Sequence, residues 1–226
     1  MSVGGPDVLF DVNHPRLSNY CAYRQSVQTR LLHILRENPG CRFLEIGVGP
    51  ILRQEQFKSI DELRIEYVGL DFKHICAKHR IDLAAASIAN RNIRFLGNVV
   101  GTYLFNLIRL MRHGEAFDII YLDGNHSIYV DLAAAIAAVR LLKPRGLLLF
   151  NDVRFVFGQT ELNQKTALAD IAKTKELTED EANEPHVTII IREYLIPMFS
   201  FAVVRSWSDP DWIVLRAPSS APWLRI

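Results

Sequence analysis

The chain is short of cysteine, of net charge and of long apolar runs, and each shortage removes a class of protein. Three cysteines, Cys21, Cys41 and Cys76, are spread over 226 residues. None forms a C-x-x-C pair, so neither a zinc site nor a disulfide framework is expected, and the thiols read as reduced and cytoplasmic. The formal charge of +1 gives no support for duplex DNA or an anionic membrane as partner. No window approaches 18 uncharged apolar residues, which argues against a transmembrane helix. The opening "MSVGGPDVLFDVNHP" has no basic or apolar segment and does not read as a secretory signal. Repeats and low-complexity stretches are also missing. What is present is ordinary globular material: 49% hydrophobic and 23% charged residues, enough for a sizeable core in one domain with a short elaboration.

Short apolar runs alternate with helical patterns from about residue 16 to 153, which predicts βαβ units and a parallel sheet. A first helix is expected over 15–38, with Val27, Leu31, Leu32 and Leu35 at helical spacing and Asn38-Pro39-Gly40 as its stop. Strands are expected at "CRFLEIGVG" (41–49), "RIEYVGLDF" (64–72), "NIRFLGN" (92–98) and "AFDIIYLDG" (116–124). Helices are expected at the alanine-rich "DLAAASIAN", over 99–113 and over 127–143. In the last, Ser127 reads as N-cap and Asp131 as a first-turn acid facing the helix dipole. Pro144-Arg145-Gly146 turns the chain into a fifth strand, "LLLFNDV". Beyond residue 153 the rhythm changes. "ELTEDEANEP" reads as a solvated acidic loop or lid, "HVTIIIREYLIPM" as helix despite its β-branched run, and "FSFAVVR" with "DWIVLRA" as an antiparallel pair closing the sheet edge. The expected organisation is a helical segment (1–39), a cofactor-binding core (40–155), a variable insert (156–198) and C-terminal strands with a tail (199–226).

In "FLEIGVGP", Gly47 and Gly49 follow a strand and remove the Cβ atoms that would hold a ligand off the backbone. Asp71, at the end of the next strand, stands where an open α/β sheet places a carboxylate for ribose hydroxyls. The third glycine of G-x-G-x-x-G is absent, and Glu45 just ahead of the turn suits a cationic appendage better than a pyrophosphate. A nucleoside with a positive group fits these residues better than NAD.

"LEIGVG", "YVGLDF", "NIRFLGN", "FDIIYLDGNHS" and "LLKPRGLLLFNDV" occur in the order of the motifs of class I S-adenosylmethionine-dependent methyltransferases. The resemblance covers roughly residues 40–155. Within the class the chain is most similar to two small-molecule O-methyltransferase groups, the macrocin/cephalosporin type and the catechol type. The resemblance implies a Rossmann-like, doubly wound, mostly parallel seven-stranded sheet with an antiparallel C-terminal pair. It implies that Glu45, Gly47 and Gly49 line the methionine part of S-adenosylmethionine, that Asp71 holds the ribose, and that Gly97 and Asn98 sit near the adenine. Pro50, Arg145 and Asn98 depart from the class pattern, where glycine, glycine and aspartate are common.

In that fold the ends of the fourth and fifth strands converge. Asp123, Asn151 and Asp152 would then supply hard oxygen ligands for Mg²⁺ or a similar ion acting on the acceptor's hydroxyl. Metal-free, His126 would be the general base. A third option has Asp123 and His126 only capping the next helix. The implied reaction is methyl transfer to a small-molecule acceptor, at a hydroxyl oxygen, with no nucleic acid or membrane involved and a homodimer left open. The rivals are a catalytically silent adenosylmethionine- or nucleotide-binding module, an NAD-dependent oxidoreductase, and a nucleic-acid methyltransferase. The last lacks an N-P-P-Y-type turn, since "DGNH" stands there. His74 and His79 share no helix face and read as structural. Tyr20, Tyr23 and Arg24, and the tryptophans Trp207, Trp212 and Trp223, are equally compatible with packing.

Overall fold

The computed structural model describes residues 15–88, 91–99, 103–157 and 177–220, with the backbone alone over 15–25. Tyr20, Tyr23, Arg24 and Trp223 therefore lie outside the described side chains. The chain divides into two compact units, Met1–Leu31 with Val156–Glu184, and Leu32–Phe155 with Pro185–Ile226.

The second unit carries a seven-stranded sheet. In chain order its elements are β1 (Arg42–Ile46), α2 (Gln54–Glu62), β2 (Glu66–Phe72), α3 (Lys73–Ala85), β3 (Ile93–Asn98), α4 (Leu104–Arg112), β4 (Phe117–Leu122), α5 (Ile128–Leu141), β5 (Leu142–Asn151), β6 (Ala202–Val203) and β7 (Trp212–Arg216); α1 (Pro15–Arg36) is divided between the two units at Leu31. The strand order is β3-β2-β1-β4-β5-β7-β6. Pairings from β3 through β5 are parallel, and β7 runs antiparallel to both β5 and β6. The expected architecture is found.

The central strands are buried along most of their length, because helices cover both faces of a parallel sheet and leave no solvated side to alternate with. In β4 only Asp118 breaks the buried run, whereas β3, at the sheet edge, mixes buried and accessible positions. The core gathers Leu44, Ile46, Val68, Leu70, Ile120, Leu148 and Phe150 under the alanines of α5, Ala134, Ala135, Ala137 and Ala138. Small side chains there let the helix backbone approach the sheet. Trp212, fully buried, packs on Tyr121 with ring centroids 5.3 Å apart.

Several boundaries differ from expectation for local reasons. The alanine-rich helix sits earlier, as α3, and stops where Ser87 takes a positive φ of 54°. Its buried stripe is Cys76, His79 and Leu83, a spacing that the polar residues between them hide. Helix α2 has no counterpart in the sequence reading. Pro144-Arg145-Gly146 is a bulge inside β5, where Leu142 pairs with Phe117 and Leu147 with Ile119. The stretch after Pro185 is helical as expected, α over His186–Ile189, a π turn over Ile190–Leu195, then α over Ile196–Phe199. Strand β6 is only two residues long, since Arg205–Trp207 turn off into a 3₁₀ segment where Arg216 lies over the Trp207 ring at 5.9 Å. In the first unit, the acidic stretch contains one helical turn, Glu179–Ala182, started by a capping box between Thr178 and Glu181.

Candidate active site

Strands β1, β2, β4 and β5 all end on the same edge of the sheet, and their C-terminal residues form the candidate site. The chain leaves β1 through two glycines with positive φ, Gly47 at 91° and Gly49 at 75°. Gly47 has no alternative: a Cβ there would overlap the carbonyl oxygen of Asp123. This contact stitches the β1 turn to the end of β4, helped by Asp123 N–H donating to Ile46 O at 2.9 Å. Nothing lies within 4 Å of a Cβ built on Gly49, so its requirement is conformational alone.

Asp71, the penultimate residue of β2, is 5% exposed. Its carboxylate accepts from Gly49 N–H at 2.8 Å and Phe72 N–H at 2.6 Å. Each oxygen keeps a further lone pair. The expected juxtaposition of Asp71 with the glycine turn is thus present, and the turn is held from its other side by His79. That imidazole stacks on Phe95 at 5.5 Å, and its Nε2 lies 2.7 Å from Gly49 O. A carbonyl can only accept, so Nε2 carries the proton.

Glu45 behaves differently from its sequence reading. It is fully buried, and its carboxylate accepts from Tyr67 Oη at 2.6 Å, from Gln56 Nε2 at 3.0 Å and from the Arg53 guanidinium. The cation it faces is the chain's own Arg53, not an open cleft. Burial opposes the charge on Arg53, but Glu45, then Tyr121, Tyr67 and Asp123, raise its pKa above the ordinary value. Gly97 also has a packing cause, because a Cβ there would lie 2.6 Å from Lys73 Cα at the start of α3. Asn98 closes β3 opposite Phe72, whose ring stacks on His74 at 5.7 Å and is 38% exposed.

At the ends of β4 and β5, Asp123, His126 and Asp152 each present a ligand atom, all within 4.8 Å of one another. His126 Nε2 lies 3.3 Å from Asp152 Oδ2. Both residues have left-handed backbones, φ 62° and 52°, a conformation that costs energy and recurs at functional sites. Asn151, expected among the metal ligands, donates from its amide Nδ2 to Asp123 Oδ1 (3.4 Å) and Asp152 Oδ2 (3.2 Å). It ties the two carboxylates together, and His126 stands beside them. Two carboxylates and an imidazole could hold a divalent cation, the carboxylate oxygens suiting Mg²⁺ or Mn²⁺ and the imidazole a transition ion.

Three residues have roles that were missed in the sequence. Asp131 stands in the first turn of α5 as expected, but its carboxylate does more. At 1% exposure it accepts from Asn125 N–H at 3.1 Å and His126 N–H at 2.7 Å, and a Cβ on Gly124 would lie 2.5 Å from its Oδ1. It clamps the loop that presents His126, and burial raises its pKa against the pull of His126 and those N–H groups. Tyr103, ahead of α4, has its phenol pKa pushed up by burial and then by the negative charges of Asp71, Asp131 and Asp123. Arg53 is the third. The only available signal was the D-G-x-H-x-x-x-x-D spacing, which puts Asp131 one helical turn beyond Ser127. Ser127 does cap α5, accepting from Tyr129 N–H at 3.4 Å. His186 Nδ1 accepts from Ile128 N–H at 3.1 Å at the same helix end.

No family model and no curated protein matches the chain. Among solved structures it is similar to a Staphylococcus aureus protein classed as a caffeoyl-CoA O-methyltransferase, at 15% identity and TM-score 0.59 over 89% of this chain and 90% of that one. It is similar to an O-methyltransferase from Bacillus cereus solved in complex with SAH, at 18% and 0.54 over 85% and 80%. A third is MycE, a methyltransferase of the mycinamycin biosynthetic pathway solved with Mg, SAH and mycinamycin VI, at 18% and 0.50 over 83% and 49%. At these identities the likeness is one of fold. The chain has the Rossmann-like fold of the S-adenosylmethionine-dependent O-methyltransferases.

Proposed function

We propose that this protein transfers the methyl group of S-adenosylmethionine to a hydroxyl oxygen of a small-molecule acceptor, with a divalent cation held by Asp123, His126 and Asp152. One observation carries the reading: the glycine turn with its ribose-type carboxylate, Asp71, and the three-ligand group share one edge of the sheet and are joined at Gly47 and Asp123. The solved O-methyltransferases of this fold with SAH, and with Mg in MycE, support it.

Bound S-adenosylmethionine supplies a methyl already activated on its sulfonium, and a bound cation supplies positive charge that lowers the pKa of an acceptor hydroxyl. The protein's own residues then have positioning work to do. Asp71 accepts from the ribose hydroxyls. Gly47 and Gly49 let the ligand lie against the backbone. Asn151 fixes the two carboxylates, and Asp131 fixes the backbone of His126. Asn98 and Phe72 border the adenine side. Without a cation, His126 takes the acceptor's proton, and its 3.3 Å approach to Asp152 orients the imidazole for that role. The near-neutral charge supports a small acceptor over nucleic acid or membrane. No helix among the described residues is long and apolar enough to cross a membrane. A cytoplasmic setting is supported by Cys41 and Cys76, unpaired thiols that burial pushes up to about 12 and about 11.

The test is transfer of labelled methyl from S-adenosylmethionine to a panel of hydroxylated small molecules. The expected result is turnover that a chelator abolishes and Mg²⁺ restores. Asp123→Ala should lose that turnover while still binding S-adenosylmethionine. Full activity of Asp123→Ala on an accepted substrate would overturn the site assignment. Turnover that survives chelation and is lost in His126→Ala would select the metal-free route.

A further inference from the structure

The helical segment after Pro185 is seated in the core through Val187, Ile190, Ile191 and Leu195. Its first turn, His186–Ile189, holds two loops. On one side His186, buried, accepts from Ile128 N–H through Nδ1 at 3.1 Å. On the other, the Thr188 hydroxyl donates to Val153 O at 2.6 Å. Residues two apart on a helix are separated by about 200° around its axis, so the two side chains leave the turn on opposite sides. Each reaches a different strand exit. Ile128 follows the loop that presents His126, and Val153 directly follows Asp152.

Both exits need such holding. His126 and Asp152 take φ of 62° and 52°, and left-handed backbone persists only where its surroundings over-determine it. Asp131 accepts from His126 N–H at 2.7 Å, and Val153 N–H donates to Asp211 O at 3.3 Å. These contacts fix each loop to its own neighbours. Asn151 ties Asp152 to Asp123; the turn at 186–189 ties the Asp152 exit to the loop beyond Asp123, where His126 stands. We infer that His186 and Thr188 are positioning residues that set the separation of His126 Nε2 from Asp152 Oδ2, 3.3 Å, and with it the affinity of the group for a divalent cation. The inference rests on the cation reading above. It gives the stretch after Pro185 a part in the site although neither residue offers an atom to the ion.

The experiment is calorimetric titration of the chelator-treated full chain with Mn²⁺ alone and, separately, with S-adenosylhomocysteine. Asp152→Ala should lose the Mn²⁺ signal, which assigns that signal to this group. Thr188→Val keeps the shape of the side chain and removes its hydroxyl; His186→Leu removes the acceptor. Each should weaken Mn²⁺ binding by about tenfold, the scale on which removing a support behind a metal ligand is felt. The affinity for S-adenosylhomocysteine should stay within about twofold of wild type, because the glycine turn and Asp71 are untouched. Thr188→Ser returns the hydroxyl, and His186→Asn returns an acceptor near the Nδ1 position, so both should restore Mn²⁺ binding. The Thr188 pair decides the outcome should a His186 variant fold poorly. Unchanged Mn²⁺ affinity in Thr188→Val, or equal losses for Mn²⁺ and S-adenosylhomocysteine, would overturn the inference while leaving the cation reading in place. A wild-type protein that binds no Mn²⁺, or whose Mn²⁺ binding survives Asp152→Ala, would overturn both.

Discussion

Gly47 and Gly49 occupy one turn but answer to different physics. Gly47 is held by φ 91° and by the Asp123 carbonyl, where a methyl group has no space and backbone must move. Gly49 needs only its φ of 75°. Gly47→Ala should therefore cost about 3 kcal/mol, combining the left-handed penalty with overpacking. Gly49→Ala should cost about 1 kcal/mol. Urea unfolding of the two variants measures both, and equal midpoints would contradict the Gly47–Asp123 contact. Chemistry at this scale depends on who already holds each charge. Glu45 looks free in the sequence but has three donors of its own, whereas among the described residues Asp71 accepts from two backbone N–H groups and keeps acceptor capacity.

At the scale of elements, the continuous apolar runs of β1, β2, β4 and β5 announce a buried parallel sheet, and the residues at their ends announce the site. That much is legible because burial on both faces removes polar positions from a strand interior. Helix α2 is not legible: its buried positions are Gln56, Phe57, Ser59 and Ile60, and two of these four are polar. Nor is the partner of Glu45, because Arg53 precedes α2 and meets β1 only after folding. The meeting of His126 with Asp152 is hidden for a similar reason, since the two residues lie at different strand ends and both take left-handed backbones.

Another such long-range arrangement fastens the opposite ends of β1 and β4. Glu115 accepts from Arg42 at 2.8 Å and from Arg94 at 2.6 Å. Burial alone would raise its pKa, but the two guanidinium groups outweigh it and hold the carboxyl below its ordinary value. A depressed carboxyl stabilises the fold fully above its unfolded pKa, about 4.3, and loses that contribution as pH falls through the lower folded value. Glu115→Gln should then be less stable than wild type by roughly 1 kcal/mol near neutrality, screened as Arg94 is half exposed. The gap should close on acidification below about pH 4. A gap independent of pH would mean that packing, not charge, is the source.

On the scale of the whole molecule, the sheet brings together groups from four strand ends that are far apart in sequence, which is the general place for ligands in open α/β folds. Solved structures with the same fold share only 13–18% identity with this chain, so the architecture tolerates wide change in sequence. The central claim is that this edge binds S-adenosylmethionine. The most direct measurement is calorimetric titration of S-adenosylmethionine into chelator-treated protein, with NAD as control and Asp71→Ala as comparison. The account predicts one saturable site for S-adenosylmethionine, none for NAD, weaker binding in Asp71→Ala, and stabilisation of the wild type by about 2.7 kcal/mol at a hundredfold excess over Kd. Saturable binding of NAD without S-adenosylmethionine, or binding that Asp71→Ala leaves untouched, would contradict it.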